Sequence, residues 1–446
     1  MGREIETQQY LNEKRTRKLR RRLARIRREE LSKALMAEVK QVAFGEKSRI
    51  ISMLADAYKK ELSPNKSDVS LAIPATFSII DSPEGAVEVA TRFAKILRRT
   101  RVTSVYLDHS SVTKYDLAAS GVLDALAIEC RMESRRRKSR VRWTGTYPKD
   151  MDVRRFIKAL GIVKHLDIRR EYLKEDEAKK LQLFDKRKHN YAVSGNPTKA
   201  DFKTLVVQEF VEHVDACLKS NGKTLTGASK HSIAKYTGEI LDNAEQHAGM
   251  VDWTIQGYLD NSLDTPTCEI AIFNFGKTIA ETLSALPDFS YTRTQIAPYL
   301  ELHQRSRWFG PSWSENDLLT LIALQGHVSS KNQSNLDTRG NGTIDLIETF
   351  FDIHNQCNGA GQGCARMAIL SGGTYILFDG TYRLGAGPNN ARQIAFNTSN
   401  DLKLQPDHRY VRGLGGLQFP GTVISIKFPL AATSTSKVDE LPNETS

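Results

Sequence analysis

The sequence predicts a multidomain α/β protein that begins with basic helices, and three observations indicate this. The chain has 446 residues, which is more than one ordinary domain of about 100 to 200 residues. Residues 5–62 contain no proline and few glycines, which is typical of helices. From Leu71 onward, short apolar runs alternate with segments of helical periodicity, and this alternation indicates strands that are connected by helices.

Positive charge is concentrated in two segments of the chain. The sequence carries 64 Lys and Arg against 52 Asp and Glu, a formal charge of +12. Residues 1–62 hold 17 basic and nine acidic side chains, and residues 131–142 hold seven basic and one acidic. The rest of the chain is therefore close to neutral, and the basic segments are candidates for contact with an anionic partner.

The N-terminal region, residues 1–63, is predicted to form two helices. The segment from Lys14 to Arg28 contains ten basic residues and no acidic one, and Leu19, Leu23 and Ile26 recur at helical spacing. Two interpretations stay open for it. One is a solvent-exposed or interdomain helix, and the other is an arm that binds the phosphates of a nucleic acid or of another anionic surface.

The sequence predicts a cytoplasmic protein that is not inserted in a membrane. The N-terminus lacks the apolar stretch of a signal peptide. No window approaches the eighteen or so consecutive apolar residues that a membrane-spanning helix needs. The five cysteines are scattered and odd in number, which argues against a disulfide framework.

Residues 64–170 are predicted to form a first α/β domain. Strand-like runs begin at Ala72, Ser104 and Arg140. Segments of helical periodicity follow them and cover residues 85–98, 117–130 and 151–160. Alternation of this kind indicates an α/β unit of about 100 residues.

Two motifs in this domain carry a resemblance to a known fold. A strand ends in Asp108-His-Ser-Ser111, and Asp116-Leu-Ala-Ala-Ser120-Gly121 opens the next helix. With these motifs the segment resembles a STAS domain, the fold of bacterial anti-sigma factor antagonists. The resemblance implies a binding or scaffolding role. In that family a serine at the helix start can be phosphorylated, whereas this chain has Ala119 at the equivalent position and Ser120 one residue later.

Two polar segments adjoin this domain. The basic run from Arg131 to Arg142 is expected in the loop before the last strand of the domain. It is either an ordinary charged loop or a second part of one basic face with the N-terminal helices. Residues 171–200 are polar and charged, and they are predicted to form a linker or a surface helical hairpin.

Residues 201–431 contain the candidate chemistry, starting with a polar helix face. The segment Gly238-Glu239-Ile-Leu-Asp-Asn243-Ala-Glu-Gln-His247 has helical periodicity, so Glu239, Asn243 and His247 lie on one face. A carboxylate can deprotonate a water molecule, and an amide oxygen one turn away can bind a hard cation such as Mg²⁺.

Glycines then recur at the ends of predicted strands and at a helix start. A strand over residues 268–273 runs into Asn274-Phe-Gly276-Lys-Thr-Ile279. Asp337-Thr-Arg339-Gly340-Asn-Gly342-Thr343 opens a helix, where free backbone N–H groups favour an anion. Thr422 begins the closing strand.

This ordered set of motifs resembles the GHKL, or Bergerat, ATP-binding fold of histidine kinases, anti-sigma serine kinases, MutL, gyrase B and a class of chaperones. The resemblance implies an α/β sandwich, a mixed sheet with helices on one face, that binds ATP and Mg²⁺. It implies that Glu239 is the general base and Asn243 the metal ligand. The implied nucleotide-binding residues are Asn274, Gly276, Ile279, Gly340, Gly342, Thr343 and Thr422, and the chemistry of their cationic side chains adds Lys331 and Arg339.

One departure and one expectation concern nucleotide binding. The family's adenine-binding position is usually aspartate, whereas this chain has Asn274, a neutral and weaker acceptor. Residues between Thr282 and Asp337 are expected to form a mobile ATP lid.

The sequence therefore predicts an ATPase that acts as a nucleotide-controlled regulatory switch, coupled to a STAS-like domain and a basic helical region. Two alternatives stay open. One is a module that binds nucleic acid or protein with nucleotide as a structural ligand, and the other is a serine/threonine protein kinase of the anti-sigma type. ATP, an unidentified protein and nucleic acid are the candidate partners, and a homodimer is left open. Residues 432–446 are predicted to be a disordered tail.

Overall fold

The structure is a computed structural model, and the residues that it describes extend from Ser48 to Pro429 with gaps. They are 48–62, 67–99, 102–137, 141–160, 162, 179–188, 199–220, 222, 224–247, 252–263, 266–310, 313–326, 328, 341–357, 365–387 and 392–429. Contacts divide the chain into two units, and all of these residues belong to the unit Ser48–Asn190 with Asn196–Ser446. The basic segment from Lys14 to Arg28 and the predicted tail lie outside the described residues.

The first part of the described chain forms a small parallel sheet with helices. Strands β1 (Asp68–Ala72), β3 (Ser104–Asp108) and β5 (Arg142–Thr146) pair in the order β1-β3-β5, and the short β2 (Thr76–Phe77) pairs with β4 (Lys114–Tyr115). The helices of this part are α1 (Arg49–Ala57), α2 (Pro83–Leu97), α3 (Leu117–Arg137) and α4 (Met151–Leu160). Parallel neighbours need crossover connections, and α2 and α3 supply them. This part is called the α/β unit below.

The second part is built on a seven-stranded sheet. Its strands are β6 (Leu181–Lys188), β7 (Trp253–Asp260), β8 (Thr267–Phe275), β9 (Arg366–Gly372), β10 (Thr374–Phe378), β13 (Val411–Gly413) and β14 (Phe419–Pro429). They pair in the order β13-β10-β9-β14-β8-β7-β6, and each pairing is antiparallel. Two short strands, β11 (Gly385–Ala386) and β12 (Arg392–Gln393), form a separate pair. The mixed α/β composition predicted from the sequence is confirmed. Parallel and antiparallel pairing, however, occur in separate sheets.

Helices cover one face of this large sheet. They are α5 (Lys199–Lys219), α6 (Gly227–His247), α7 (Ile279–Ser284), α8 (Tyr291–Arg305), α9 (Glu315–Ala323) and α10 (Asn341–Cys357). Ile270 and Ile272 of β8 share a core with Tyr236 of α6 and Ile347 of α10. This face is called the helical face below.

The opposite face of the large sheet is covered too, by the α/β unit and not by the helices that the structure describes in residues 201–431. Ala271, Phe273 and Phe275 of β8 alternate with the residues of the helical face and share a core with Leu126 of α3. A Cβ atom at Gly121 of α3 would overlap Gln256 Oε1 and lie 2.8 Å from the Phe273 ring, so α3 approaches the sheet closely. The α/β unit and the large sheet therefore share one hydrophobic core.

Three segments differ from what the sequence indicates. The interval 171–200, predicted as a linker or helical hairpin, contains β6, the edge strand that pairs with β7. The basic run that begins at Arg131 is the end of α3 as far as Arg137, not a loop, and Met132 in it is buried. The expected lid interval contains α8 and α9, and apolar side chains of both helices are buried in the core.

Within the described ranges, no helix combines the length and the apolar character that crossing a bilayer requires.

Candidate functional site

A row of side chains crosses the large sheet at the end where β8 stops. Trp253 of β7, Asn274 of β8, Thr422 of β14, Ser371 of β9 and Thr374 of β10 are register partners, each with the next. Because paired residues of a sheet point to the same face, the five side chains share one face. The last four are called the polar row below.

The polar row lies on the helical face of the sheet. Side chains two positions apart in a strand share a face. Ile272, Ile424 and Ile369, two positions from the row on β8, β14 and β9, belong to the core that contains α6 and α10. The row is therefore on the side of the sheet where these two helices lie.

Hydrogen bonds connect the polar row to the helices that follow it. The hydroxyl oxygens of Ser371 and Thr422 are 2.9 Å apart, and Ser371 Oγ accepts the N–H of Ile279, the first residue of α7, at 2.9 Å. Thr374 Oγ1 donates to Oδ1 of the buried Asp317 of α9 at 2.7 Å. The row thus fixes the starts of two helices of the interval after β8.

Two glycines allow β8 and β14 to approach at the end of the row. Gly276 has φ 131° and donates its N–H to the carbonyl of Pro420 at 3.2 Å. Gly421 has φ 139°, and a Cβ atom there would overlap the carbonyl oxygen of Asn274. Both conformations favour glycine, so the two glycines let the backbone of β14 lie close to that of β8 beside Asn274.

Helices α6 and α10 meet through an ion pair near Glu239. Lys235 Nζ of α6 lies 2.6 Å from Oδ2 of Asp345, the fifth residue of α10. The hydrogen bond with Asp345 raises the pKa of Lys235, and the charge of Glu239, one turn further along α6, adds to the effect. The half-buried Glu239 is therefore on the part of α6 that adjoins the start of α10, where Gly342 and Thr343 lie.

The end of α6 is held against the strands of the row. Glu245 Oε1 accepts a hydrogen bond from Trp253 Nε1 at 2.9 Å and lies 2.6 Å from Lys188 Nζ. Burial favours the neutral acid, but the hydrogen bonds from Lys188 and Trp253 outweigh it and lower the pKa of Glu245. Since Trp253 is the register partner of Asn274, α6 and the polar row are connected through one residue.

The structure brings together part of the candidate site. Asn274 and Thr422 are adjacent, with Gly276 and Ile279 directly after them. Glu239 and Asn243 are one turn apart on α6, although the Asn243 side chain is not among those described. Lys331, Arg339 and Gly340 lie outside the described residues.

Sequence reasoning missed two members of the polar row, Ser371 and Thr374. They flank the glycine pair 372–373, so they look like ordinary turn residues of the β9–β10 hairpin. Their significance comes from β14, which pairs with β9 and brings Thr422 beside Ser371. That pairing joins strands distant in sequence, and no local pattern indicates it.

The oxygen, nitrogen and sulfur side chains of the described residues limit the kind of metal site that can form. Among the described residues, no group of three or more His, Cys, Asp or Glu side chains is placed to hold one. A Mg²⁺ ion, however, commonly takes one or two protein oxygens and completes its shell with phosphate and water. Asn243, which has an amide oxygen one turn from the Glu239 carboxylate on α6, suits that second kind of site as a single protein ligand.

Comparisons of the chain with protein-family models, with curated proteins and with solved structures found no match. The arrangement of the residues themselves is therefore what indicates a function.

Proposed function

We propose that this protein binds Mg·ATP in a site of the GHKL type and hydrolyses it, as a nucleotide-controlled regulatory switch. The observation that carries the proposal is the position of Asn274 beside Thr422 on the helical face, next to the glycine turn at Gly276. Glu239 and Asn243 lie on α6, which is connected to the row through Trp253 and Glu245. The uncharged side chains of the polar row suit a purine base. The carboxylate of Glu239 and the amide of Asn243, on one helix, suit a hydrated phosphate chain.

Each residue has a role that follows from its chemistry. The Asn274 amide and the Thr422 hydroxyl would bind the base edge, since both groups can donate and accept. The free backbone N–H groups at the start of α10, a helix of 17 residues, would bind phosphate oxygens near Gly342 and Thr343. The Asn243 amide oxygen would hold Mg²⁺, which would neutralise charge at the phosphates. Glu239 would take a proton from the attacking water.

Hydrolysis is favoured over transfer of phosphate to the α/β unit. Ser120, next to the position that resembles a phosphorylated serine, is only 1% exposed. Its neighbour Gly121 lies against Phe273 and Gln256 of the large sheet. A hydroxyl in this position cannot approach a nucleotide without separation of the two parts, so water is the more accessible acceptor.

Phosphate release tests the catalytic role. We expect Glu239→Ala and Glu239→Gln to lower the rate about 100-fold or more, the usual loss when a general base is removed. Binding of a fluorescent ATP analogue should change little, because Glu239 acts on water. Asn243→Ala should weaken binding of the nucleotide only when Mg²⁺ is present. Equal hydrolysis rates for wild type and both Glu239 variants would remove the assignment.

A role in nucleic-acid binding is a second candidate, and the charge distribution favours it. The segment from Lys14 to Arg28 and the run from Arg131 carry most of the net positive charge. Binding of labelled DNA and RNA should then weaken steeply as salt rises, because neutralised phosphates release counterions. Binding that does not respond to salt would exclude phosphate contacts by these residues.

A further inference from the structure

The edge strand β6 carries a buried arginine that bridges two parts of the fold. Arg187 Nη2 lies 3.0 Å from Glu129 Oε1 of α3 and 3.0 Å from Oδ2 of Asp252, the residue before β7. The side chains are 11%, 2% and 0% exposed, respectively. Charges this deep in a protein are tolerated only in pairs, so Arg187 holds α3 against the start of β7.

The carboxylates of Asp252 and Glu129 keep Arg187 positively charged. Burial acts to lower the pKa of Arg187, but the negative charges of Asp252 and Glu129 outweigh it and raise the pKa. The planar guanidinium also donates from Nε to Asp252 Oδ1 at 3.3 Å while Nη2 contacts both carboxylates. A lysine has one donor centre and cannot reproduce this fork.

The next residue of β6 acts on the opposite face of the sheet. Lys188 contacts Glu245 near the end of α6, whereas Arg187 contacts α3. Successive side chains of a strand point to opposite faces. One dipeptide thus connects the helix of the proposed catalytic residues with the α/β unit.

The same glutamate connects Arg187 to the first described residue. Ser48 Oγ donates to Glu129 Oε2 at 2.8 Å, and the Ser48 N–H donates to Glu133, one turn along α3. Ser48 is also the N-cap of α1, where its hydroxyl oxygen accepts the N–H of Ile51 at 3.2 Å. In the sequence, Ser48 directly follows the basic N-terminal region.

We infer that four residues form a coupling path between α6 and the start of α1: Ser48, Glu129, Arg187 and Lys188. A shift of α6 changes the hydrogen bond that holds Ser48 to α3, and loss of that bond changes the position of α6. The path gives the proposed nucleotide site a regulatory output at Ser48, the N-cap of α1. In that respect it rests on the proposed function. Arg187 and Lys188 are positioning residues, because they act through Asp252 and Glu245 and do not contact the proposed reacting groups.

The path is tested first without nucleotide, on the full chain. Ser48→Ala removes the hydroxyl bond to Glu129. Hydrogen exchange of the amides of residues 239–247 should then rise about threefold or more, as expected when a helix end loses support. Arg187→Lys should have a similar effect. The double variant should show no more than the larger single effect, since members of one network are not additive.

A matched control lies on the same strand. Lys186 pairs with Glu209 of α5 at 2.5 Å, and both side chains are more than one third exposed. Lys186→Met should leave exchange of residues 239–247 unchanged. If Arg187→Lys does not fold, the combination E129Q, R187M and D252N removes the three charges together and leaves none unpaired. In that background Ser48→Ala should have no effect on α6.

Two results would overturn the inference. One is unchanged exchange of residues 239–247 in Ser48→Ala, and the other is additive effects of Ser48→Ala and Arg187→Lys. Addition of Mg·ATP to wild type separates the two proposals. Slower exchange in both 239–247 and 48–57 supports both, and slower exchange in 239–247 alone supports nucleotide binding and rejects the path. If nucleotide does not bind, the proposed function fails, and the nucleotide-free double-variant cycle still decides the path.

Discussion

Asn274 places an uncharged amide at the end of β8, between Trp253 and Thr422. An amide presents either its oxygen or its NH₂ group to a base, whereas a carboxylate only accepts. Adenine offers an amino group at the position where guanine offers a carbonyl. We therefore expect the proposed site to be less selective between adenine and guanine than a site with aspartate at this position.

We expect Asn274→Asp to increase the preference for ATP over GTP by about tenfold, the ratio that corresponds to replacing a neutral hydrogen bond with a charge-assisted one. Dissociation constants of both nucleotides, measured for wild type and variant, test this. Asn274→Ala is the control, and it should weaken both nucleotides without a change in preference. An unchanged ATP-to-GTP ratio in Asn274→Asp would show that Asn274 does not contact the base.

Asp116 is a buried carboxyl group at the start of α3. Oδ1 accepts the N–H of Ala119 at 2.8 Å, and Oδ2 accepts the hydroxyl of Ser78 at 2.7 Å. Burial, together with the charge of Glu269, raises the pKa of Asp116 to about 6. Glu269 itself is paired with Lys427 at 2.7 Å.

This shift makes the stability of the fold depend on pH with a defined sign. Between pH 4 and pH 6 the native Asp116 keeps a proton that the unfolded chain releases, so its contribution to the free energy of unfolding falls as pH rises. Asp116→Asn removes the group. The free energy of unfolding of the variant, relative to wild type, should therefore rise by up to about 3 kcal/mol from pH 4 to pH 7. A pH-independent difference in urea unfolding would show that Asp116 titrates normally.

At the scale of elements, α3 is distinguished by its close approach to the large sheet. Gly121→Ala would place a methyl group against Gln256 and the Phe273 ring. We expect it to lower the free energy of unfolding by about 1 to 3 kcal/mol, the usual cost of overpacking. Gly238→Ala in α6 is the matched control, since a Cβ atom there has no neighbour within 4 Å in the described chain. It should be stabilising by about 0.5 to 1 kcal/mol. Equal urea midpoints for the two variants would contradict the close contact of α3.

The elements that sequence patterns predict well are those with many apolar residues at regular spacing. Helix α6 shows helical periodicity because one side of it packs on the core, and β8 is a nearly continuous apolar run because both of its faces are buried. Strand β6 was missed because it lies at the sheet edge, and its sequence Leu-Gln-Leu-Phe-Asp-Lys-Arg-Lys is mostly polar. Helix α8 was missed because only Thr292, Ile296 and His303 are buried along it, which leaves a weak apolar pattern.

Sequence patterns likewise identify some residues of the candidate site and not others. Asn274 and Thr422 were identifiable because glycines follow or precede them within a recognisable order of motifs. Ser371 was not, because its role depends on the β9–β14 pairing. Arg187 and Glu129 are 58 residues apart in sequence, and each looks like an ordinary charged surface residue until the fold buries both.

At the scale of the whole molecule, the α/β unit and the large sheet are joined by more than an apolar core. Arg412 Nη2 of β13 lies 2.9 Å from Glu84 of α2, and Tyr375 of β10 donates its hydroxyl to the Ile80 carbonyl at 2.6 Å. Polar contacts around an apolar centre are typical of a stable interface. The α/β unit is therefore fixed to the sheet that carries the polar row, which favours a permanent structural connection over transient docking.

The fixed interface leads to a prediction about where the phosphate of ATP goes. When the chain is incubated with γ-labelled ATP, the label should appear as free phosphate, and mass mapping should find Ser120 unmodified, because this residue is only 1% exposed. Ser120→Ala should leave phosphate release unchanged, whereas Glu239→Ala should lower its rate about 100-fold or more. Label on Ser120 would show that the α/β unit separates from the sheet during turnover. The protein would then act as a kinase on its own α/β unit, and the shared core would represent only one of two states.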